Sequence, residues 1–335
     1  MNSKKSFLNI FVGLCVISII LFFTFTTTTI AAEKKSDIKF ITFSGGTGDW
    51  GLIGAKVAEV INKEIPGITA NSIPGGGGIN IEKVQNGEAQ LGLVHSFIPY
   101  LAFNGLDMFN EKHPKLRVLM SFNNAKAQFC VPFNSDITSI SDLIKKPYNV
   151  YISTPGQSRY ILIQKIFEAF GVTNKMITEI GGTLYKIGDD DAATMMKDRM
   201  LDTLCAASAV PNSRLMEIDF SIGGIKLLPI DGEAREKLLN SLPGIVEGVI
   251  PANSFSKQDK EIPTITFFNQ IICSSEIPDD IVYEITAAIV KHFSEFKELS
   301  VSLKSLSLDI VTLDTGIPFH PGAEKYYIDH NMFEK

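Results

Sequence analysis

Two glycine-rich loops, each between a predicted strand and a predicted helix, constrain the fold of this chain more than any other feature. The loops lie at residues 44–50 and 74–79. A short apolar run precedes each loop, an amphipathic segment follows it, and a third apolar run begins at residue 91. This alternation predicts a strand-loop-helix unit that occurs twice and closes with a third strand by residue 100. It is typical of layered α/β folds.

A second unit of the same kind follows an extended apolar stretch at residues 116–132. Its predicted elements are a helix at 139–144, a strand at 149–153, a polar loop at 154–159, a helix that stops at Gly171, a helix after Asp189 to Asp191 and a strand at 203–207. Further on, an extended run covers residues 264–274 and an amphipathic helix covers residues 278–296. Two similar α/β units in one chain predict two lobes.

The N-terminal segment has the features of a secretory signal. Two lysines near the start precede an almost unbroken apolar run at residues 7–25, and Ala31 and Ala32 follow before a charged stretch. The pattern predicts export, with residues 1–32 removed as a signal peptide. The alternative is a retained membrane anchor, because the apolar run approaches the ~20 residues that span a bilayer.

Charge and cysteine spacing exclude several classes of protein. The chain has 31 Lys and Arg against 37 Asp and Glu, a net charge of -6, so it offers no basic field for nucleic acid. After the signal, Cys130, Cys205 and Cys273 show no C-x-x-C spacing, which excludes a zinc ribbon and a thioredoxin-type motif. All three cysteines lie in apolar surroundings, and we expect buried free thiols.

The first loop matches a dinucleotide-binding fingerprint only in part. Gly46, Gly48 and Gly51 have the G-x-G-x-x-G spacing between a strand and a helix. The fingerprint also needs an acidic residue at the end of the next strand, and residues 69–73 contain none. A dinucleotide cofactor is therefore not expected.

A more general property of these loops points to an anion. Small residues let a ligand approach backbone N–H groups at a helix N-terminus, where the helix dipole favours negative charge. A single loop of this kind is often just a tight turn. Three of them, at 44–50, 74–79 and 154–159, favour a cleft that binds a small anion between the two lobes.

Four side chains near these loops are candidate ligand contacts, each with a structural alternative. Arg159 opens the helix after the third loop and could hold a carboxylate, or else pair with a nearby acid. His95 and Ser96 follow the third strand, where clefts form in open α/β sheets, although His95 could equally be a hydrogen-bonded, half-buried side chain. Trp50, the single tryptophan, could form the wall of a pocket or pack in the core.

The sequence gives little support for a catalytic site or a metal site. The chain has no G-x-S-x-G elbow, H-E-x-x-H motif, Walker A motif or Cys-His signature. The histidines lack metal-ligand spacing, and Asp189 to Asp191 are expected to stabilise the first turn of a helix rather than bind calcium. We expect no enzyme activity, no metal and no cofactor.

The assembled pieces resemble the substrate-binding subunits of TRAP transporters of the TAXI type. Nearly all of the chain after the signal takes part, in collinear order. The segments that carry the resemblance are FITFSGGTGDWGLIGAKVAEVINKEIPG, PGGGGINIEKVQNGEAQLGLVHS, SISDLIKKPYNVYISTPGQSRY, AATMMKDRMLDTLCAASAVPNSRLMEI, SSEIPDDIVYEITAAIV and GIPFHPGAEKYY.

The resemblance implies a two-lobed type II periplasmic-binding-protein fold of the α/β class, with a ligand cleft between the lobes. Lobe 1 would comprise residues 37–125 plus 272–335, and lobe 2 residues 126–271. A periplasmic protein of this family captures a small organic anion, such as a glutamate-like compound, a dicarboxylate or an oxoacid, and delivers it to TRAP membrane permease subunits driven by an ion gradient. The implied ligand contacts are Thr47, Gly48, Trp50, Gly76, Gly77, His95, Ser96, Gln157, Ser158, Arg159, Ala207 and Ser208.

This chain departs from the family pattern at three places in the expected pocket. The family usually has Tyr-Tyr at Asp49-Trp50, Gln-Ser-Asp at His95-Ser96-Phe97 and Gly-Ser-Gly-Thr at Gly156-Gln157-Ser158-Arg159. The ligand therefore cannot be copied from the family. A ligand sensor or surface-exposed binding protein of the same fold is the alternative function.

Overall fold

The computed structural model describes residues 38–333, so the predicted signal peptide at residues 1–32 lies outside the described residues. The strands are β1 (Phe40–Ser44), β2 (Thr69–Ile73), β3 (Leu91–His95), β4 (Leu116–Pro132), β5 (Asn149–Tyr151), β6 (Thr183–Tyr185), β7 (Leu204–Ser208), β8 (Ile225–Leu227), β9 (Ile245–Ile250) and β10 (Ile262–Ser274). Among the helices within residues 38–333, none is long and apolar enough to span a membrane.

The α-helices alternate with these strands over most of the chain. They are α1 (Asp49–Glu64), α2 (Gly77–Gln85), α3 (Ile98–Asn104), α4 (Ser158–Ala169), α5 (Asn174–Glu179), α6 (Asp189–Lys197), α7 (Ser213–Ile222), α8 (Gly232–Ser241), α9 (Asp279–Lys291), α10 (Phe293–Lys297) and α11 (Pro321–Asp329). Short 3₁₀ helices cover Ile140–Ile144, Val301–Ser305 and Leu308–Ile310. The predicted α/β alternation is confirmed.

One eight-stranded sheet organises the fold, in the order β2-β1-β3-β10-β4-β7, with β8 beside β4 and β9 beside β10. β1 is parallel to both β2 and β3, whereas β10 is antiparallel to β3 and β4. β5 and β6 form a separate parallel pair. The carboxyl ends of β1 and β3 therefore lie at the same edge of the sheet, which brings their following loops together.

Two long strands connect the halves of the molecule. β4 and β10 pair from Leu116 opposite Ser274 as far as Lys126 opposite Thr266. Beyond that point β4 pairs with β7 and β8, while the first half of β10 pairs with β9. The chain between these strands, residues 133–261, is called the inserted segment below. The predicted lobe bounds at residues 125/126 and 271/272 stay a prediction.

Local sequence explains where the first helix begins and ends. Gly48 precedes the helix with a φ of 57°, and Asp49 places a negative charge in its first turn. Pro66 and Gly67 follow its end. Its apolar face is buried as the periodicity predicts, at Ile53, Val57, Val60 and Ile61.

The predicted helix at residues 278–296 is two helices in the structure. α9 ends at Lys291 and α10 begins at Phe293. His292 lies between them with its side chain buried, and its two ring nitrogens contact Glu295 (2.6 Å) and Glu64 (2.7 Å). These contacts attach the break between the helices to the end of α1.

The cysteines behave as expected from their apolar surroundings. Cys130, Cys205 and Cys273 are free and buried. Cys205 lies opposite Phe129 and Cys130 opposite Leu204, so their side chains point to opposite faces of the sheet. Burial raises the pKa of Cys205 to about 12 and also raises the pKa of the other two thiols. The register of β4 and β7 thus keeps Cys130 and Cys205 apart.

Candidate functional site

The second glycine-rich loop lies directly against the polar loop of the inserted segment. The backbone N–H of Gly78 donates to the carbonyl oxygen of Gly156 (3.1 Å). Gly77 has a φ of +34°, and a Cβ there would collide with the backbone nitrogen of Ser158, so the close approach requires glycine. The contact brings together four predicted site residues, Gly76, Gly77, Gln157 and Ser158.

Two helix N-termini meet at this contact. α2 begins at Gly77 and α4 begins at Ser158. Neither start is capped by a side-chain hydrogen bond. Ser158 is 3% exposed, and its hydroxyl has no hydrogen-bond partner among residues 38–333. The first turns of both helices therefore direct N–H groups and a hydroxyl toward the same region, which favours an anion.

His95 lies at the end of β3, 6% exposed, among aromatic rings. Its ring lies 5.0 Å from Trp50 and 4.9 Å from Phe267, both edge to face, and it stacks on Phe97 at 5.9 Å. Its Nδ1 has no partner within the described range. Burial, together with the charge of Arg159, lowers the pKa of His95 to about 3. The imidazole is therefore neutral at physiological pH.

Trp50 is fixed by amides of the two long strands. Its indole N–H donates to Oδ1 of Asn269 (3.2 Å), and the amide nitrogen of Asn269 donates to Oδ1 of Asn123 (2.7 Å). Both asparagines are buried. Sequence analysis missed them because they come from β4 and β10, more than a hundred residues from each other, and only the sheet register brings them to Trp50.

Arg159 is paired within the protein, as its structural alternative required. Its Nη1 contacts Oδ1 of Asp189 closely and lies 3.4 Å from the hydroxyl of Tyr151. Tyr151 in turn donates to Asp189 (2.7 Å), and Arg214 approaches the other carboxylate oxygen (3.4 Å). The Nε of Arg159 is buried with no partner among the residues described. The Nε–H of the guanidinium thus remains available to another group.

A small cavity lies beside this pair, lined by Arg159, Asp189, Asn212 and Arg214 among others. Two guanidinium groups face the Asp189 carboxylate there, and Arg214 also pairs with the exposed carboxylate of Asp190 (2.7 Å), so the charges beside the cavity balance. The free space admits little more than one water molecule. All of the residues that line the cavity belong to the inserted segment, so it does not reach the glycine-rich loops.

Several predicted contacts use their polar groups within the fold instead. The hydroxyl of Ser96 donates to Gly244 O (2.6 Å) and accepts from the N–H of Phe268 (3.0 Å). The hydroxyl of Ser208 is bound by side-chain amides of Gln128 and Asn212. The remaining predicted contacts are Thr47 and Gly48, which are exposed, and Ala207, which pairs with Ala127 across the sheet.

A comparison with known protein families shows which family the chain is related to. The model of the NMT1-like family matches residues 41–329. The chain belongs to the NMT1-like family. The match covers both glycine-rich loops, the inserted segment and all of the predicted contacts.

Solved structures similar to this NMT1-like chain are solute-binding proteins, among others. PhnD1 from Prochlorococcus marinus, in complex with methylphosphonate, is 11% identical, covers 88% of this chain and 99% of its own, and has a TM-score of 0.53. XAC2383 from Xanthomonas citri, bound to ATP, is 9% identical with coverages of 87% and 95% and a TM-score of 0.53. The periplasmic aliphatic sulphonate binding protein SsuA from Escherichia coli is 14% identical, with coverages of 87% and 83% and a TM-score of 0.45. The predicted two-lobed periplasmic-binding-protein fold is confirmed.

The NMT1-like chain has one organising residue that sequence analysis missed. Asn80 is fully buried in the first turn of α2. Its amide nitrogen donates to Gly45 O (2.8 Å) and Leu93 O (2.6 Å), and its Oδ1 accepts from the Ser44 hydroxyl (2.7 Å) and from Gly76 N (2.9 Å). It thus ties both glycine-rich loops to the strand that carries His95. The sequence signal for this role was a polar residue on the face of α2 that also carries the buried Ile81 and Val84.

The part of the NMT1-like chain that the structure describes contains no candidate metal site. Within residues 38–333, no group of three His, Cys, Asp or Glu side chains is placed to hold a metal ion. Asp189 begins α6 with Asp190 and Asp191 in the same turn, as predicted for acids that interact favourably with the helix dipole.

Proposed function

We propose that this NMT1-like protein is a periplasmic solute-binding protein that captures a small organic anion between the inserted segment and the glycine-rich loops. One observation carries the proposal. His95 Nδ1, Ser158 Oγ and Arg159 Nε are all buried and have no partner among residues 38–333. An unpaired buried polar atom costs roughly 1–3 kcal/mol, and a ligand that pairs all three recovers that cost.

The unused donors near these atoms, rather than the net charge, favour an anion over a cation. Arg214 pairs most closely with the exposed Asp190 (2.7 Å), and both arginines also approach the carboxylate of Asp189. That carboxylate already accepts from Tyr151 and both arginines, so it offers little to an incoming ammonium group. The N-terminus of α4 adds a positive dipole end at Ser158.

His95 contributes a neutral contact. Because its pKa is lowered to about 3, the imidazole stays uncharged at neutral pH and offers one ring nitrogen as a donor or acceptor. The rings of Trp50 and Phe267 lie beside it. A ligand with a carboxylate near Arg159 and an uncharged polar group near His95 matches this arrangement.

Delivery to a membrane permease is the second part of the proposal. The fold is that of solute-binding proteins, and the collinear resemblance to TAXI-type subunits favours a TRAP-type permease driven by an ion gradient. The bound methylphosphonate of PhnD1 and the ATP of XAC2383 are anions held on the same fold. Anion capture by this chain is consistent with those examples.

The decisive experiment combines ligand release with a matched pair of variants. Mass spectrometry of small molecules released by denaturing the purified protein identifies the cargo, and calorimetry then measures its affinity. Arg159→Gln should weaken binding by about 2 kcal/mol, because the bound anion loses a charged hydrogen-bond partner.

Arg235→Gln is the matched control for this test. Arg235 pairs with Glu247 (3.5 Å) in the inserted segment and does not line the cavity. Its substitution should leave affinity unchanged. Equal affinity of the wild-type and Arg159→Gln proteins would remove Arg159 from the site, and an uncharged or cationic cargo would contradict anion capture.

A further inference from the structure

An ion pair outside the proposed site joins the inserted segment to the chain that precedes β4. Lys165, on α4, contacts Asp107, in the turn after α3, with 2.7 Å between Nζ and Oδ1. The two side chains are only 18% and 29% exposed. A pair that is partly shielded from water is screened less by salt than a fully exposed pair.

The turn that carries Asp107 is well defined. Gly105 ends α3 in the left-handed conformation, and the N–H of Leu106 returns to Leu101 O (2.8 Å). Asp107 itself has a φ of 57°, a conformation that aspartate and asparagine tolerate better than most residues. The carboxylate is thus presented toward α4 by a fixed backbone.

The ion pair accompanies the backbone contact between the two loops. The Gly78 N–H to Gly156 O bond belongs to the same contact between the inserted segment and the first part of the chain. Met108, next to Asp107, packs over that bond, since a Cβ on Gly78 would lie 3.5 Å from its Cε. The ion pair, the methionine and the backbone bond therefore all belong to one contact between the inserted segment and the first part of the chain.

We propose that Asp107 and Lys165 form a clamp that sets the fraction of ligand-free molecules in the closed state. Lys165 also pairs with Glu168 on its own helix (3.1 Å), but Glu168 is 73% exposed and the pair does not cross to another element. Of the two ion pairs of Lys165, the one with Asp107 is therefore the one that resists separation of the two parts. Any effect of this clamp on affinity for an anion rests on the proposed function. Its effect on the fraction of closed molecules does not.

The test compares amide substitutions of the two carboxylates that pair with Lys165. Asp107→Asn removes the charge while keeping the size and the left-handed conformation, and Glu168→Gln is the matched control. In protein freed of bound ligand, Asp107→Asn should raise the ratio of open to closed molecules about threefold. A larger radius of gyration in X-ray scattering and stronger acrylamide quenching of Trp50 fluorescence report the change. Glu168→Gln should change neither.

Lys165→Met provides a second route to the same result. It should open the molecule as much as Asp107→Asn, and the double variant should open it no further, because both remove one interaction. If both single variants match the wild type in scattering and quenching, or if Glu168→Gln opens the molecule equally, the clamp is wrong. A clamp that responds as expected in a protein that binds no anion would instead contradict the proposed function alone.

Discussion

His95 and His292 are both buried, yet their surroundings differ completely. His95 has an Nδ1 without a partner within the described residues, aromatic rings around it and a pKa lowered to about 3. His292 contacts two carboxylates, and the hydrogen bonds that its ring donates to Glu295 and Glu64 raise its pKa above the usual 6.5. Burial alone therefore does not reveal what a histidine does in this fold.

The difference matches the recognition role that we propose for His95 and the structural role of His292. The ring of His292 is fully used in joining α1, α9 and α10, so nothing remains for a ligand. His95 keeps an unused nitrogen, as Arg159 and Ser158 keep unused atoms, and the charge of Arg159 contributes to its lowered pKa. Unsatisfied hydrogen-bonding capacity, together with burial, is what distinguishes the two.

The largest expected effect is on stability in acid. Unfolded His95 binds a proton below pH 6.5, whereas folded His95 binds one only near pH 3, so stability falls as pH decreases between these values. Between pH 6 and pH 4.5 this loss is about 2 kcal/mol. Urea unfolding at both pH values should show a smaller loss in His95→Phe than in the wild type. Carboxylates titrate alike in both proteins, so an equal loss would contradict the neutral, buried imidazole.

The next effect is on ligand affinity. His95→Phe keeps an aromatic ring among its neighbours but removes the polar contact, and we expect about tenfold weaker binding of the anion identified by release. His95→Asn retains a polar atom close to the position of Nδ1 and should lose less. Calorimetry of both variants measures the difference. His292→Gln should bind normally, and a loss of affinity there would erase the distinction between the two histidines.

The smallest effect concerns the structural histidine. The raised pKa of His292 contributes stability that is present below pH 6.5 and disappears as pH rises through the folded value. His292→Gln should therefore cost about 1 kcal/mol at pH 6 and less at pH 9.

Lys291 offers a control for this prediction because it also pairs with Glu64 but is 63% exposed. Lys291→Gln should cost less stability than His292→Gln at pH 6. Its cost should be the same at pH 9, whereas the cost of His292→Gln should fall. Urea unfolding at the two values checks both variants. A cost of His292→Gln that is the same at pH 6 and pH 9 would show that His292 is not charged in the folded protein.

Much of the fold was predictable because local patterns dominate in the first half of the chain. The extended stretch at residues 116–132 is β4, and the helix predicted from residue 50 to residue 64 begins one residue earlier. Beyond residue 208 the signal weakens. β8 has only three residues, and α9 and α10 are interrupted at a histidine whose partners lie on other elements.

The site was predictable in its loops and less so in its side-chain pairing. Glycines and a following helix indicate that residues 74–79 approach a ligand or another backbone, and the structure shows the second for Gly77. The partner of Arg159 lies thirty residues away at Asp189, and no local pattern links them. Which polar atoms stay unpaired depends on such long-range contacts, and these atoms carry the proposal of anion binding.

The inaccessible thiols make the molecule convenient for site-directed labelling. Since the three cysteines within residues 38–333 are buried and burial raises their pKa, they will react slowly with maleimides or spin labels at neutral pH. One new surface cysteine on the inserted segment and another beside α3 would then carry probes without any need to replace these three cysteines. Spectroscopy can then measure the distance between the two probes while an anion is added.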